Sequence, residues 1–293
     1  MKVLILGATG MLGYSLFVNL NEQAHLSVFG TVRSISGKEL FFSNVQEQLI
    51  TNVDAYDICS LQHAIEVVTP DVVINCVGLI KQHGISKQHI DAVKINALLP
   101  HELANICDEN NAKLIHFSTD CVFTGAEGLY NEDSLPDARD LYGKSKCLGE
   151  VDYGKHLTLR TSIIGHELSS SVSLVDWFLS QEENVKGFSK AVFSGLPTSY
   201  IAKLLVEYIL PNPEVAGLLH LSVDPIDKYS LLKLIAEQYQ KQITIHESRD
   251  IVINRSLNSN KFRTLTNFTP PKWRELVEYM HTDYVKRYKA WIS

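Results

Sequence analysis

A glycine-rich turn placed directly after the first apolar run constrains the fold of this chain more than any other feature. The run is KVLIL, residues 2–6, and the turn is GATGMLG, residues 7–13, after which Leu12, Leu16 and Leu20 repeat at helical spacing. Glycines between a strand and a helix allow a tight turn and let backbone N–H groups approach a pyrophosphate at the positive end of the helix. Because the spacing is GxxGxxG and not GxGxxG, a plain structural turn is the alternative to the dinucleotide site that we predict here.

Short β-rich apolar runs alternate with longer segments of helical period through the first half of the chain. We predict strands at residues 2–6, 26–31, 49–53, 72–75, 114–118 and 157–160, with helices between most of them. This alternation is typical of stacked βαβ units, and the nearly continuous apolar strands suit a parallel sheet that is buried on both faces. The predicted fold class is therefore α/β, with a doubly wound parallel sheet.

The rhythm changes after about Gly165. Helical segments at residues 172–181, 199–209, 229–240 and 273–291 alternate there with brief strands near Leu219 and Ile243. We therefore predict two parts, a dinucleotide-binding domain at residues 1–165 and a mainly substrate-binding region at residues 166–293, with the chain crossing between them. A cleft between the two parts is the expected place for a substrate.

Composition and charge exclude several classes of protein. The net charge of -6 offers no basic face for nucleic acid. No apolar run approaches the ~20 residues of a membrane span, and the N-terminus becomes glycine-rich too early for a signal peptide, so we expect a soluble, cytoplasmic protein. The five cysteines show no CxxC spacing and predict reduced thiols. HELAN and GHELS lack the second histidine of HExxH, so no metal site is predicted.

The segments after strands two to four indicate which dinucleotide would bind. An NAD site usually places an acidic residue after the second strand, whereas this chain has TVRS, in which Arg33 and Ser34 would bind a 2′-phosphate. NADPH is therefore the favoured cofactor, NADH is the second choice, and a solvated loop arginine is the alternative interpretation. Asp54 in VDAYD could accept from the adenine amino group or cap the helix starting near Ile58. NCVG, residues 75–78, ends the fourth strand at the ligand-binding edge.

A threonine, a tyrosine and a lysine form the predicted catalytic set. Thr119 ends the fifth strand in HFSTDCVFTG, and Tyr142 and Lys146 lie four residues apart in YGKSK, on one face if the segment is helical. A lysine beside the phenol favours the phenolate, so we expect the pKa of Tyr142 to fall below its usual ~10. Thr119 could hydrogen-bond the same substrate oxygen. An ordinary exposed helix face is the alternative, which the glycine turn and the strand-end threonine make less favourable.

The predicted cofactor-binding residues form one set that spans these segments. They are Gly7, Thr9, Gly10, Met11, Leu12, Gly13, Arg33, Ser34, Asp54, Ala55, Cys76, Val77, Gly78, Tyr142 and Lys146.

With these motifs, the chain resembles the extended short-chain dehydrogenases/reductases and, within them, the dTDP-4-dehydrorhamnose reductases. The matching segments are GATGMLG, STDCVF, YGKSKCLGE, LRTS, GLPT, RSLNS and PKWRE, in the family's order. The resemblance implies a Rossmann domain, a smaller C-terminal α/β sugar-nucleotide-binding domain, and reduction of a nucleoside-diphosphate 4-keto-6-deoxy sugar by NADPH or NADH. It assigns Tyr142 as proton donor, Lys146 as its activator and a ligand of the nicotinamide ribose, and Thr119 as carbonyl partner. Homodimers are common in the family.

Departures from the family pattern concentrate where the substrate is chosen. Cys121 replaces the tyrosine of STDYVF, and this chain has Ile163, Ile164 and Gly165 where the reductases usually have an aromatic pair. Losing aromatic walls changes what a sugar can stack on, so both dTDP-4-dehydrorhamnose and a UDP-linked N-acetylated analogue are candidate substrates. The predicted substrate-binding residues are Thr119, Asp120, Cys121, Ile163, Arg255 and Asn258, with Trp273 as a further candidate. Arg255, Asn258 and Trp273 could each equally be a packing or surface residue.

Three other functions are alternatives to a reductase. A 4,6-dehydratase would carry Asp-Glu after the catalytic threonine, whereas Asp120 is followed by Cys121. A sugar-nucleotide epimerase would show an acidic residue near the position of Arg33. Some reductase relatives are non-catalytic regulatory subunits that bind NADP and a partner enzyme. The intact Thr119, Tyr142 and Lys146 set favours catalysis and leaves the regulatory subunit as the main alternative.

Overall fold

The computed structural model describes residues 1–79 and 88–289. The strands are β1 Lys2–Leu6, β2 Ser27–Thr31, β3 Leu49–Ile50, β4 Val72–Asn75, β5 Lys113–Thr119, β6 Leu157–Thr161, β7 Ile163–Ile164, β8 Asn184–Phe188, β9 Ala191–Phe193, β10 Leu196–Pro197, β11 Gly217–His220, β12 Ile226–Asp227, β13 Thr244–Ser248 and β14 Ile253–Asn254.

The helices alternate with these strands. They are α1 Met11–Leu20, α2 Ile58–Val68, α3 His89–Ala92, α4 Leu99–Glu109, α5 Leu141–Leu148, α6 Leu174–Ser180, α7 Thr198–Leu204, α8 Lys228–Gln238, α9 Asn260–Thr266 and α10 Trp273–Arg287. Two π-helical segments, Val93–Leu98 and Leu205–Ile209, continue α3 and α7, and a 3-10 turn, Asp120–Val122, follows β5.

Seven parallel strands form the central sheet, in the order β11-β6-β5-β4-β1-β2-β3. The order 3-2-1-4-5-6 within it is that of the Rossmann fold, and it reverses between β1 and β4, where such sheets bind ligands outside the carboxyl ends of the strands. The predicted fold class is confirmed. The turn of residues 7–10 lies at this reversal.

Both faces of the central sheet are buried, as its apolar strands predicted. In β1, Val3 and Ile5 join a core cluster that reaches α1 and the C-terminal helices. Leu4 and Leu6 face the other way, into a cluster that includes residues of α2 and α4. Alternate side chains of one strand thus supply two separate cores, which is the requirement of a doubly wound sheet.

The second half of the chain forms smaller sheets and rejoins the first half. β12, β9 and β14 form a three-stranded sheet, and β13-β8 and β10-β7 form two pairs. β11 follows the predicted boundary near residue 165 but pairs in parallel with β6 in the central sheet. Helix α7 packs on α1, and α10 packs on both α7 and α8. The division at residue 165 stays a prediction.

Several strands and helices begin or end at residues other than those predicted, for local reasons. The third strand ends at Ile50 rather than residue 53, because Asn52 takes a positive φ of 61°. The helix predicted at residues 172–181 begins at Leu174, where the side chain of Ser173 accepts from the backbone N–H of Asp176. Helix α10 begins at Trp273 as predicted and ends at Arg287. Its predicted end at Trp291 lies outside the described residues.

The described ranges contain neither a membrane-spanning helix nor a metal-binding cluster. None of their helices combines the length and hydrophobicity needed to cross a bilayer. They also contain no cluster of three or more His, Cys, Asp or Glu side chains that could hold a metal ion.

Candidate active site

The turn after β1 brings the backbone of α1 to the carboxyl edge of the sheet. Gly7 has a φ of +82°, which favours glycine, and the N–H of Gly10 donates to its carbonyl oxygen at 3.1 Å. A Cβ on Gly13 would overlap that same oxygen, so only glycine lets α1 pack this close. Within the described residues no side chain caps α1. Its first N–H groups are therefore available to an anionic group such as a pyrophosphate.

The predicted pyrophosphate residues divide into exposed and buried groups. Thr9, Gly10 and Met11 are reachable from solvent, whereas Leu12 and Gly13 are buried in the packing of α1 on the sheet. Leu12 and Gly13 can thus contribute to pyrophosphate binding only through their backbone and through the shape of the turn.

The predicted adenosine residues surround the ends of β2 and β3. Arg33 and Ser34 are exposed just after β2. The carboxylate of Asp54 accepts from the N–H of Tyr56 at 3.1 Å and does not cap α2. Asp57 caps that helix instead, accepting from the N–H of Cys59, so the capping alternative for Asp54 is wrong. Burial raises the pKa of Tyr56, Asp91 raises it further, and the charges of Asp54 and Arg33 have smaller effects of opposite sign.

Two buried asparagines hold the segment after β4. The side-chain oxygen of Asn75 accepts from the N–H of Val77 at 3.0 Å. Asn96, in the π-helical segment, accepts from the N–H of Leu79 at 2.9 Å and donates to its carbonyl. Burial raises the pKa of the Cys76 thiol, which therefore stays neutral and is no nucleophile.

Helix α5 carries the predicted tyrosine and lysine, and its start is well defined. Asp140 caps it by accepting from the N–H of Gly143 at 2.9 Å. A Cβ on Gly143 would overlap the carbonyl oxygen of Cys121, so the helix rests directly on the 3-10 turn after β5. Thr119, at the end of β5, is 8% exposed, and its hydroxyl accepts from the N–H of Cys121 at 3.1 Å. Tyr142 and Thr119 are thereby brought together.

The expected fall in the pKa of Tyr142 is wrong for this structure. Burial raises that pKa, the nearby Cys121 raises it further, and hydrogen bonding to Thr119 offsets the rise only in part. The charge of Lys146 does not reverse this rise, and its Nζ donates to the carbonyl of Phe117 at 2.6 Å. Tyr142 is consequently protonated at neutral pH, as a proton donor must be.

Lys146 is itself a perturbed group. Its side chain is buried in the structure, and burial lowers its pKa to about 8, although Glu150 and Cys76 act in the opposite direction. An ordinary lysine has a pKa of about 10.4. Perturbed groups of this kind cluster at functional sites.

Three predicted substrate residues meet at the end of β5 from distant parts of the sequence. The Nε of Arg255 donates to the carbonyl of Phe123 at 2.9 Å, and its Nη1 lies 3.6 Å from Cys121 Sγ. Asp120 is buried, which raises its pKa, and Arg255 is the strongest opposing influence. The guanidinium is therefore held beside Asp120 and Cys121.

The other predicted substrate residues have mainly structural contacts. Asn258 Oδ1 accepts from the N–H of Asn260 at 2.9 Å, just before α9. Ile163 is half-buried in β7 and pairs with Leu196 of the GLPT motif. Trp273 is 8% exposed, and its Nε1 donates to the carbonyl of Asp224 at 2.7 Å. Its ring packs near Phe193, so Trp273 is a packing residue.

A buried polar network beneath these residues was missed by the sequence reasoning. Arg160 donates to both carboxylate oxygens of Glu150 at 2.7 Å, and the hydroxyl of Ser118 donates to Glu150 Oε1 at 2.7 Å. On neighbouring strands, Asn75 and His116 are also buried. The available signal was the presence of polar residues in otherwise apolar strands, as in VVIN and KLIHFST.

The strand order, the glycine turn and the threonine, tyrosine and lysine at one sheet edge define an α/β protein of the dinucleotide-binding, Rossmann type. Within that class, the chain belongs to the family described as RmlD substrate binding domain, whose model matches residues 1–286. The family predicted from the motifs is confirmed.

Curated relatives match either half or nearly all of the chain. It is 32% identical over 151 residues to the probable low-salt glycan biosynthesis reductase Agl14 of Haloferax volcanii, covering 51% of this chain and 48% of that protein. It is 25% identical over 301 residues to the spore coat polysaccharide biosynthesis protein SpsK of Bacillus subtilis, covering 95% and 96%. The β subunit of methionine adenosyltransferase 2 from Xenopus laevis is 29% identical over 150 residues, covering 51% and 41%. The chain thus spans about half the length of the first and the third.

Solved structures share the whole fold. The dTDP-4-dehydrorhamnose reductase of Bacillus anthracis, in complex with NADP, has a TM-score of 0.78 at 21% identity, covering 96% of this chain and 99% of that one. The enzyme WbmG of Bordetella bronchiseptica, in complex with NAD and UDP, has a TM-score of 0.78 at 17% identity, covering 98% and 95%. Structures of this fold therefore hold NADP or NAD, in agreement with the predicted class of cofactor.

Proposed function

We propose that this protein is an NADPH-dependent reductase of a nucleoside-diphosphate 4-keto-6-deoxy sugar, with NADH as the second cofactor. The observation that carries the proposal is the position of Tyr142, a half-buried and protonated phenol next to Thr119 at the carboxyl end of β5. The same edge of the sheet presents the turn of residues 7–10 and the start of α1, which no side chain of the described ranges caps.

The residues that would hold the cofactor fit a dinucleotide. The positive φ of Gly7 and the close approach at Gly13 leave room for a pyrophosphate above the first N–H groups of α1. Arg33, exposed after β2, suits a 2′-phosphate. The nicotinamide supplies a hydride when it is bound.

The chain's own residues would handle the proton. Tyr142 donates to the carbonyl oxygen of the sugar as negative charge develops there, and Thr119 hydrogen-bonds the same oxygen and holds it in place. Lys146, on the same face of α5, supplies positive charge below its pKa of about 8. General acid catalysis of this kind typically contributes about 10²- to 10⁴-fold.

The substrate we propose is dTDP-4-dehydrorhamnose or a UDP-linked N-acetylated analogue. Supporting the sugar-nucleotide class are the family assignment and the names of the relatives, which act in glycan and polysaccharide synthesis. Cys121 gives the site a small side chain beside Arg255, where a tyrosine would fill more space. That extra volume favours the bulkier N-acetylated sugar.

The test is a direct assay. Purified full-length protein, NADPH and a panel of dTDP- and UDP-linked 4-keto sugars are mixed, and the loss of NADPH absorbance is followed. Oxidation that depends on one member of the panel supports the proposal. Tight NADPH binding without oxidation in any member would reject a reductase.

A non-catalytic regulatory subunit is the second candidate. The observation that favours it is the match to the β subunit of methionine adenosyltransferase 2. Under that function Tyr142 could be replaced without consequence, whereas the reductase requires it.

A further inference from the structure

Asn75 and His116 form a buried polar pair beneath Lys146 that the reaction outlined above does not use. They are register partners on β4 and β5, so their side chains lie side by side on one face of the central sheet. Asn75 is 1% exposed and His116 is 0% exposed. Buried polar groups are retained at a cost unless they are hydrogen-bonded, so their partners determine what they do.

The backbone determines how the Asn75 amide is turned. Its Oδ1 accepts from the N–H of Val77 at 3.0 Å, which places the oxygen on that side. Its Nδ2 therefore faces His116 Nδ1, at 3.1 Å. An amide NH₂ group can only donate, so His116 Nδ1 must accept.

The remaining proton of His116 is then located by elimination. Burial holds the pKa of His116 well below its usual value, with the charge of Lys146 acting in the same direction, so the ring is neutral. A neutral imidazole carries one N–H, and here that hydrogen lies on Nε2. Nε2 is 3.3 Å from Lys146 Nζ.

An N–H that points at an amine distinguishes between its two charge states. The N–H can donate to the lone pair of a neutral amine, whereas an ammonium has no lone pair and its hydrogens repel the N–H. Phe117 stabilises either form, because its carbonyl accepts from Nζ at 2.6 Å. His116 therefore disfavours the charged form of Lys146.

Other titratable groups act on the same lysine. Glu150, just beyond the end of α5, and Cys76, after β4, both favour the ammonium. Glu150 is shared with Arg160 and Ser118, which reduces its influence on Lys146. His101 on α4 acts on His116 in the same direction as Lys146 does, lowering the pKa of its ring.

We propose that His116 is a positioning residue for Lys146: Asn75 holds its imidazole as the Nε2–H tautomer, which orients the lysine amine and weakens its protonated form. The proposal deepens the function proposed above, because Lys146 belongs to the catalytic set. Its test does not depend on turnover.

The first measurement is nitrogen NMR of the full-length protein labelled on histidine. The expected result is a His116 signal with Nε2 protonated and Nδ1 unprotonated, unchanged across the neutral pH range. Loss of the signal in His116→Gln assigns it. A protonated Nδ1, or a ring that titrates near its usual pKa, would overturn the proposal.

The second measurement follows the titration of Lys146 by NMR of its labelled side chain. In Asn75→Asp the carboxylate can only accept, so the imidazole proton moves to Nδ1 and the lone pair of Nε2 faces Lys146 Nζ. The titration midpoint of Lys146 should then rise by about one pH unit or more. His116→Gln, which removes the ring N–H, should raise it too and remains informative if Asn75→Asp does not fold.

The matched control is His156→Gln. His156 is also 0% exposed, but its Nδ1 accepts from the N–H of Leu114, away from Lys146. This variant should leave the midpoint as in the unmodified protein. Equal shifts in the control, or no shift in the two test variants, would refute the role of His116. A protein that gives the expected tautomer and midpoints yet reduces no sugar would reject the reductase alone.

Discussion

Gly143 lies directly against the carbonyl oxygen of Cys121, with no room for a Cβ between them. This contact seats α5 on the turn after β5 and thereby places Tyr142 next to Thr119. Gly143→Ala should push the helix outward. We expect a loss of stability of about 1–3 kcal/mol from overpacking and a fall in kcat of about 10²-fold from misplacement of the phenol. Steady-state kinetics and denaturant unfolding measure the two effects. Lys144→Ala, at an exposed position of the same helix, should change neither.

Tyr142→Phe tests the proton donor. Removing the hydroxyl should lower kcat by about 10²- to 10⁴-fold while leaving the Kd for NADPH nearly unchanged. Kinetics and fluorescence titration of NADPH provide the two values. The control Tyr153→Phe removes an exposed hydroxyl that contacts His101, and should keep full activity. Undiminished turnover in Tyr142→Phe would refute the assignment.

Arg33→Asp tests the choice of cofactor. The exposed guanidinium after β2 should bind a 2′-phosphate, and a hydrogen bond to a charged group contributes about 1.5–3 kcal/mol. We expect the Kd for NADPH to rise about tenfold or more and the Kd for NADH to change little. Isothermal titration with both dinucleotides measures this. Arg249→Asp, another exposed arginine, is the control. Equal weakening of both cofactors would exclude a phosphate role for Arg33.

The pH dependence follows from Lys146. Its pKa is lowered to about 8 in the folded protein, so its positive charge is present below that pH and is lost as the pH rises through it. The pKa of Tyr142 is raised, so loss of the phenolic proton occurs at higher pH. We expect kcat/KM to fall as the pH rises through about 8. The control Lys144→Met should show the same fall in kcat/KM near pH 8. A kcat/KM that stays constant up to pH 10 would contradict the assignment of this fall to Lys146.

Glu150→Gln tests the buried ion pair with Arg160. The two side chains are 8% and 3% exposed, and both oxygens of the carboxylate are engaged. Leaving a buried charge without its partner costs about 3–5 kcal/mol, which urea unfolding would detect. The control is Glu237→Gln, which breaks the exposed pair with Arg274 and should have little effect on stability. Similar losses of unfolding free energy in Glu150→Gln and Glu237→Gln would show that burial of the pair with Arg160 adds nothing to stability.

Much of the site could be predicted from the sequence because its pieces are local. The turn of residues 7–13, the strand-end Thr119 and the four-residue spacing of Tyr142 and Lys146 each depend on a short stretch of backbone. Trp273 shows where prediction from local sequence patterns fails. Its motif was visible, but its packing against Phe193 and its hydrogen bond to Asp224 depend on how two distant elements meet.

The sequence by itself determined the parallel sheet, the glycine turn and the family, since hydrophobic period and glycine spacing act over a few residues. Only the tertiary structure decided the charge states and the partners. Burial raised the pKa of Tyr142, against the expected direction. Packing brought Arg255 to Cys121 and His116 to Lys146. Desolvation and through-space contacts depend on every element around a group, and no local pattern records them.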